Sequence, residues 1–313
     1  MPQLDFVIGG LAGLGAALAW ALSTAIWGLI AHQVPPQTLI VIRTTMASLV
    51  LAVVNYVVNG AFWPAGIALE PVLLLAASGW LAINLGDYCF FKAVARIGPR
   101  LLMVIFAASP IVTAALAWLT MRESISLRAA GAIVLIVGGI VWVVSEPRGP
   151  DRWTSDRREF RRGVLLTLAS LIAVGAAYVC TRAALQGGPH GFTAGASQPI
   201  DGLGAALVRL TAAGVLGWIT LPFTGAVRTT FTTLAHVKLM RYIVPATFLG
   251  LVIGAWLSMV ALARMPSGPA SALLSCSPIF MIPLSRLFYG ERHSLRALFG
   301  TVAAVGGVFL LLL

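Results

Sequence analysis

The sequence of 313 residues is poor in charge, because only 10% of its residues are Asp, Glu, Lys or Arg. Soluble domains carry about 25% charged residues, and 59% of this chain is hydrophobic, so it lacks the side chains for a water-soluble surface. Long apolar runs recur along the chain at about the 20 residues that a helix needs to cross a bilayer. The sequence therefore predicts a polytopic membrane protein without a sizeable soluble domain.

Motifs for catalysis and metal binding are also missing. No Gly precedes either Lys92 or Lys238, so there is no phosphate-binding Walker loop. The four histidines form no His-Glu-x-x-His site, and no Ser lies in Gly-x-Ser-x-Gly. The three cysteines lack redox or zinc spacing and are expected to be small apolar fillers. We expect no enzymatic activity, no catalytic residue, no cofactor and no metal.

The net charge of +11 would suggest a nucleic-acid binder in a soluble protein. Here the basic residues lie mostly in short loops between apolar runs, and no reader motif accompanies them. Nucleic acid is therefore not an expected partner. The expected partners are a small-molecule substrate and membrane lipids, with protons as a candidate coupling ion, and the chain is expected to act as a monomer.

Apolar runs separated by polar or Pro/Gly-rich breaks predict ten helices rather than barrel strands, because the runs are continuous and far longer than a barrel strand. The first is expected to be a permanent helix, not a cleaved signal. The predicted spans are Phe6–Ile30, Thr38–Val58, Pro71–Ala93, Leu101–Thr120, Leu127–Val144, Gly163–Leu185, Leu203–Leu221, Tyr242–Leu262, Ala270–Phe288 and Leu295–Leu313.

The chain repeats itself about a polar segment, Ser145–Arg162. Five features recur at an offset of 168: ARIGP with ARMPSGP, Ser109-Pro110 with Ser277-Pro278, Glu123 with Glu291, Leu127-Arg128 with Leu295-Arg296, and Gly138-Gly139 with Gly306-Gly307. Such agreement in register predicts a duplication, with repeats at 1–144 and 163–313 and a linker at 145–162. Arg43 and Arg209 also correspond, at an offset of 166.

Five spans per repeat is an odd number, so the second repeat must enter the membrane with inverted orientation. The loops after the third, fifth, seventh and ninth spans hold fifteen Lys and Arg residues, and the opposite side holds four. The positive-inside rule then places the fifteen in the cytoplasm and both termini outside. The predicted fold is all-α, with ten transmembrane helices in two inverted five-helix repeats.

The repeated Ser-Pro, Glu and Gly-Gly set, together with ALAWALSTAIWG in the first helix and Arg43 in the second, resembles the EamA-type repeat of the drug/metabolite transporter superfamily. The resemblance covers nearly the whole chain. It implies a ten-helix carrier with a central cavity that exports amino acids, related metabolites or drug-like compounds. The sequence departs from the pattern in LIAVGAAYVCTRAAL, which lacks Trp-Gly, and in the long segment QGGPHGFTAGASQPIDG, so the substrate stays open.

Charged residues inside the spans are the first candidates for a transport site. Asp87 is the one carboxylate well inside a predicted span, and is either a cavity or proton-coupling group or a residue near the cytoplasmic end that pairs with Lys92 or Arg96. Arg43 and Arg209 either snorkel to water or cap backbone groups, or one of them reaches the cavity and attracts a carboxylate.

Aromatic and hinge candidates complete the predicted site. Five aromatic residues either line a cavity for flat or amphipathic solutes or pack against neighbouring helices: Trp20, Trp27, Tyr88, Tyr178 and Trp256. Prolines inside a helix remove a backbone donor and bend it, so the symmetric pairs Ser109-Pro110 and Ser277-Pro278 are candidate hinges.

The leading interpretation is a multi-pass secondary carrier of the bacterial inner membrane that exports an amino acid or a related metabolite by alternating access. The alternative is a membrane component that flips a lipid-linked intermediate or assists an enzyme. A sealed polar cavity would favour the carrier, and a groove open to lipid would favour the alternative.

Overall fold

The computed structural model describes residues 2–64, 67–106, 156–186, 202–264, 276–290 and 294–312, and isolated positions at 108–142 and 273–274. These described residues are helical, with no strand among them. The α-helices are α1 Pro2–Ile30, α2 Pro36–Asn59, α3 Leu69–Gly79, α4 Tyr88–Phe106, α5 Arg157–Gln186, α6 Gly202–Thr220, α7 Val227–Ala235, α8 Val237–Thr247, α9 Ala255–Arg264, α10 Ser277–Tyr289 and α11 Leu295–Leu312.

Five segments in the described part are long and apolar enough to cross a membrane: Val7–Ile30, Pro36–Asn59, Arg157–Thr181, Gly202–Thr224 and Val237–Ser258. Their outward faces carry apolar side chains such as Val57, which is 77% exposed. Water would make such a surface unstable, whereas lipid solvates it. The all-helical, multi-pass membrane character predicted from the sequence is therefore confirmed.

Two π-helical segments interrupt the helices. The first, Trp80–Asp87, joins α3 to α4, and the second, Phe248–Gly254, joins α8 to α9. Their starting residues are separated by 168 positions, which is the offset at which the sequence repeats. Insertions of this kind widen a helix and are frequent at functional sites. The shared position supports a common origin for the two halves.

The packing crosses between the halves. The helix pair that flanks the first π segment packs against α5, and the pair that flanks the second packs against α1. Side chains bond the extra carbonyls: Ser170 Oγ donates to Gly86 O at 2.8 Å, and Trp20 Nε1 donates to Gly250 O at 3.2 Å. The first helix of each half, α1 or α5, therefore packs against and donates a hydrogen bond to the π segment of the other half.

The second helices of the two halves, α2 and α6, pack directly on each other. Gln37 Nε2 donates to Thr220 Oγ1 at 2.8 Å, and Trp218 Nε1 donates to Thr45 Oγ1 at 3.0 Å. Polar bonds between helices are a common source of affinity where lipid removes the hydrophobic driving force. This contact brings Arg43 on α2 and Arg209 on α6 to the same region of the bundle.

Glycines permit close approaches at the helix interfaces. A Cβ added at Gly254 would lie 2.6 Å from the indole nitrogen of Trp20, and one at Gly250 would lie 2.6 Å from Ser23 Oγ. Both positions therefore act in helix packing. Gly98 has a φ of 76° and separates the third predicted span from the fourth at ARIGP, where Pro99 begins the next helical stretch.

The linker prediction, 145–162, lies mostly outside the described residues. The part that is described begins at Asp156, and α5 begins at Arg157. Glu159 accepts from Arg96 Nε at 2.9 Å and also pairs with Arg162, so this end of α5 is tied to α4.

Candidate functional site: a buried charge cluster

An ion pair lies inside the helix bundle between Arg43 and Asp87. Arg43 is on α2, about 10 Å along the helix axis from Pro36. Asp87 is the last residue of the first π segment. The two side chains are only 8% and 19% exposed, so the pair is largely shielded from water. A charge in this position is expensive unless a partner compensates it, and Asp87 is that partner.

Two aromatic rings cover the guanidinium of Arg43. Its Cζ lies 5.0 Å from the ring centre of Phe91 and 5.9 Å from that of Trp27. The two rings meet edge to face with centroids 5.2 Å apart. Cation–π contacts of this kind add to the stabilisation of a desolvated cation. A carboxylate and two rings therefore contact this guanidinium, while its buried Nε has no hydrogen-bond partner among the described residues.

Arg209 occupies the corresponding place in the second half, on α6. It lies close enough to Asp87 and Tyr178 for their charges to interact. Its Nε is buried without a hydrogen-bond partner, and no ion pair to Arg209 is formed within the described residues. At the offset of 168, the residue that corresponds to Asp87 is Ala255. The second arginine thus lacks the carboxylate that the first one has.

Close packing between the backbones of α3 and α6 fixes the position of Arg209. A Cβ added at Gly79 would overlap the backbone oxygen of Arg209, so α3 and α6 touch without side chains between them. One turn further along α6, Asn84 Nδ2 donates to Ala213 O at 3.0 Å. Both contacts come from the helix that carries Asp87, which explains how residues of different halves share one cluster.

A cavity of about 410 Å³ lies at the end of the bundle where α1 connects to α2. Its lining includes His32, Gln33, Phe91, Lys92 and Arg96. Phe91 therefore faces the cavity and also covers Arg43. The rim is basic, and the ring separates it from the buried ion pair.

The structure resolves the alternatives for the charged candidates in part. Asp87 pairs with Arg43 and not with Lys92 or Arg96, because α2 packs beside the π segment. The snorkelling interpretation of Arg43 is wrong, since its side chain points to a buried carboxylate and not to water. Lys92 instead places Nζ 4.3 Å from the ring centre of Tyr88.

The aromatic candidates divide into two groups. Tyr178 lies within electrostatic range of Asp87 and Arg209, whereas the ring of Tyr88 contacts Lys92. Trp20 bonds the carbonyl of Gly250, which is a packing role. Trp256 is 55% exposed on α9 and makes no ring or hydrogen-bond contact with the cluster in the described part of the chain.

The hinge candidates lie at helix breaks. Ala108 and Cys276, again 168 positions apart, are turn residues, and helix follows at Ser109 and at Ser277. Pro278 is in the first turn of α10, where a missing N–H costs little, so it begins a helix and does not bend one from inside. Ser277 Oγ donates to Leu274 O at 3.3 Å, as a freed carbonyl requires. Pro110 lies outside the described residues.

Sequence reasoning missed Phe91 as a site residue. Its signal was available, because Phe91 is four residues after Asp87 and therefore on the same helix face. No group of three or more His, Cys, Asp or Glu side chains with metal-binding proximity occurs in the part that the structure describes.

Comparison with known proteins identifies the family. The model of the EamA-like transporter family matches residues 7–145 and again residues 161–313. The chain belongs to the EamA-like transporter family. The two EamA matches divide the chain at the polar segment, and a family of membrane transporters of small molecules agrees with the buried charge cluster.

Solved structures share the fold of this EamA-like chain. One, described only as "Crystal structure of protein", superposes with a TM-score of 0.59 at 14% identity and covers 96% of this chain and 97% of its own. At that identity the likeness concerns the fold alone. No curated protein matches the chain.

Proposed function

We propose that this EamA-like chain is a secondary transporter that exports a small metabolite, such as an amino acid or an amphipathic compound, by alternating access. The proposed architecture is ten transmembrane helices in two inverted five-helix repeats, 1–144 and 163–313, joined by the linker 145–162. The proposed location is the bacterial inner membrane, and the proposed role is not enzymatic.

One observation carries the proposal: the ion pair between Arg43 and Asp87 is buried in the bundle, and Arg209 of the second half lies within electrostatic range of it. Structural stability alone does not favour such a cluster, since apolar residues of similar volume would be as stable or more stable. Charges inside a membrane typically mark the path of a substrate or ion. In a carrier, a site at the interface of two repeats is exposed first to one side and then to the other.

Coupling to protons is proposed through Asp87. Protonation of this carboxylate would break its ion pair with Arg43 and would change which contacts hold α2 against the π segment. If no proton is taken up, exchange of one solute for another or facilitated diffusion is the remaining mode.

The test is transport by purified protein in liposomes. Amino acids, organic acids and amphipathic cations are offered with and without an imposed proton gradient. The proposal predicts saturable uptake of at least one class and loss of that uptake in Arg43→Gln. Arg162→Gln is the matched control, because it breaks a 52%-exposed ion pair at the end of α5 and should transport normally.

Equal loss in both variants, or no uptake of any class, would contradict a transport site at the cluster. Movement of lipid-linked head groups in place of small solutes would favour the flippase alternative.

A further inference from the structure

The unequal counterions of the two repeat-related arginines carry an inference about the substrate. We propose that the substrate is a small organic monoanion whose carboxylate binds the guanidinium of Arg209. This deepens the proposed transport function and rests on it.

The described charges of the cluster do not balance. Arg43 and Asp87 neutralise each other, and Arg209 adds one positive charge without an ion-pair partner among the residues that the structure describes. Arginine keeps its proton in proteins, so the charge cannot be removed by deprotonation. Because an uncompensated guanidinium inside a membrane is costly, an anion that enters this region gains a large electrostatic advantage. One excess charge matches one carboxylate.

The guanidinium of Arg209 has the geometry to bind a carboxylate, because it is a planar fork of five donors that forms two parallel bonds. Its buried Nε makes no hydrogen bond within the described residues, so a donor of that fork is available. The Nε of Arg43 is also unbonded there, but the Arg43 guanidinium is already paired with Asp87 and covered by Trp27 and Phe91, so it adds no excess charge.

Tyr178 is a neighbour of Arg209 in the cluster. It lies within electrostatic range of both Arg209 and Asp87, and a tyrosine hydroxyl is a group that donates to anions. An ammonium group would instead be repelled by Arg209. A zwitterion satisfies the guanidinium but leaves the excess charge in place, so a simple carboxylate is the better match.

The 410 Å³ cavity offers an entry route. Its lining includes His32, Lys92 and Arg96, and Phe91 separates it from the cluster. Positive-inside orientation places this end of the bundle in the cytoplasm. Arg96 is paired with Glu159, so Lys92 is the lining cation that raises the local concentration of anions and disfavours cations.

The experiment uses matched skeletons. Carboxylates such as 3-phenylpropionate are compared with the amino acid and the amine of the same skeleton, phenylalanine and phenethylamine, over a range of chain lengths. The readout is the thermal shift of the purified full chain in detergent, followed by uptake into liposomes. We expect the carboxylate of at least one skeleton to bind at least about tenfold more tightly than its amine.

Three variants locate the binding group. Arg209→Gln should weaken carboxylate binding roughly tenfold to a hundredfold, since charge-assisted bonds are lost. Ala255→Asp places a carboxylate at the position that corresponds to Asp87 in the other repeat, and it should abolish carboxylate binding without lowering the Tm. Ala255→Asn is the matched neutral control and should bind as the parent does.

Unchanged carboxylate binding in Arg209→Gln or in Ala255→Asp would overturn the proposal, as would stabilisation by the amines alone or by no carboxylate. Uptake of amines without uptake of carboxylates would overturn the proposal of a monoanionic substrate but would still support the proposal that the chain is a carrier. Carboxylate binding to Arg209 without transport of any solute would support the anion site and contradict the carrier.

Discussion

The Arg43–Asp87 ion pair is open to a quantitative test by a double-mutant cycle. Asp87→Asn leaves the guanidinium buried at 8% exposure without its counterion, and Arg43→Gln does the same for the carboxylate at 19% exposure. Removal of one partner of a buried pair costs about 3–5 kcal/mol. Removal of both leaves two neutral polar groups of similar volume, so the double variant should lose less than the two single losses together.

The expected coupling energy is therefore at least about 2 kcal/mol. It is measured as the free energy of unfolding of purified protein during titration with SDS in mixed micelles. The control is the Arg96–Glu159 pair, whose side chains are 30% and 31% exposed and whose coupling should stay below about 1 kcal/mol. Additive losses at Arg43 and Asp87, or equal coupling in the two pairs, would refute the reasoning that burial makes this pair strong.

Three further predictions follow from the topology, the coupling and the packing. In intact cells, Thr154→Cys in the predicted cytoplasmic linker should not react with an impermeant thiol reagent. Phe62→Cys, in the predicted outer loop between α2 and α3, should react, because Phe62 is 59% exposed. The reverse labelling would refute the predicted orientation. Asp87→Asn should retain solute exchange in liposomes and lose accumulation driven by a proton gradient, and unchanged pH dependence would make the residue structural. Gly79→Ala should lower the free energy of unfolding by about 1–3 kcal/mol, because the added Cβ would meet the backbone oxygen of Arg209. Gly306→Ala is the control and should not lower it, because no described atom lies within 4 Å of its added Cβ. Equal Tm values for the two variants would contradict this packing.

The repeat could be predicted from the sequence because duplicated motifs keep a constant spacing along the chain. The offset of 168, found in Ser-Pro and Gly-Gly pairs, also relates the two π segments and the turn residues Ala108 and Cys276. The helix break at Gly98 could also be predicted, because Pro99 has no backbone N–H to continue the hydrogen bonds of the preceding helix. Composition alone was enough for the membrane location.

The ion pair between Arg43 and Asp87, in contrast, could not be predicted from the sequence. Arg43 and Asp87 are 44 residues apart, and their meeting depends on the rotation of α2 about its axis against the π segment. A π insertion changes which residues share a helix face after it, and no sequence period reveals it. The sequence therefore identifies Asp87 as a candidate because it is the one carboxylate well inside a predicted span, while its partner is set by tertiary packing.

The central claim, that this chain is a carrier with a site shared by its two halves, is tested most directly by counterflow. Liposomes that contain the purified protein are loaded with unlabelled substrate and diluted into labelled substrate without any ion gradient. A carrier predicts that the label first accumulates inside above its external concentration and then declines, and that Arg43→Gln abolishes this overshoot. A monotonic approach to equal concentrations in the parent protein would indicate a pore or a lipid-facing path and would contradict the account.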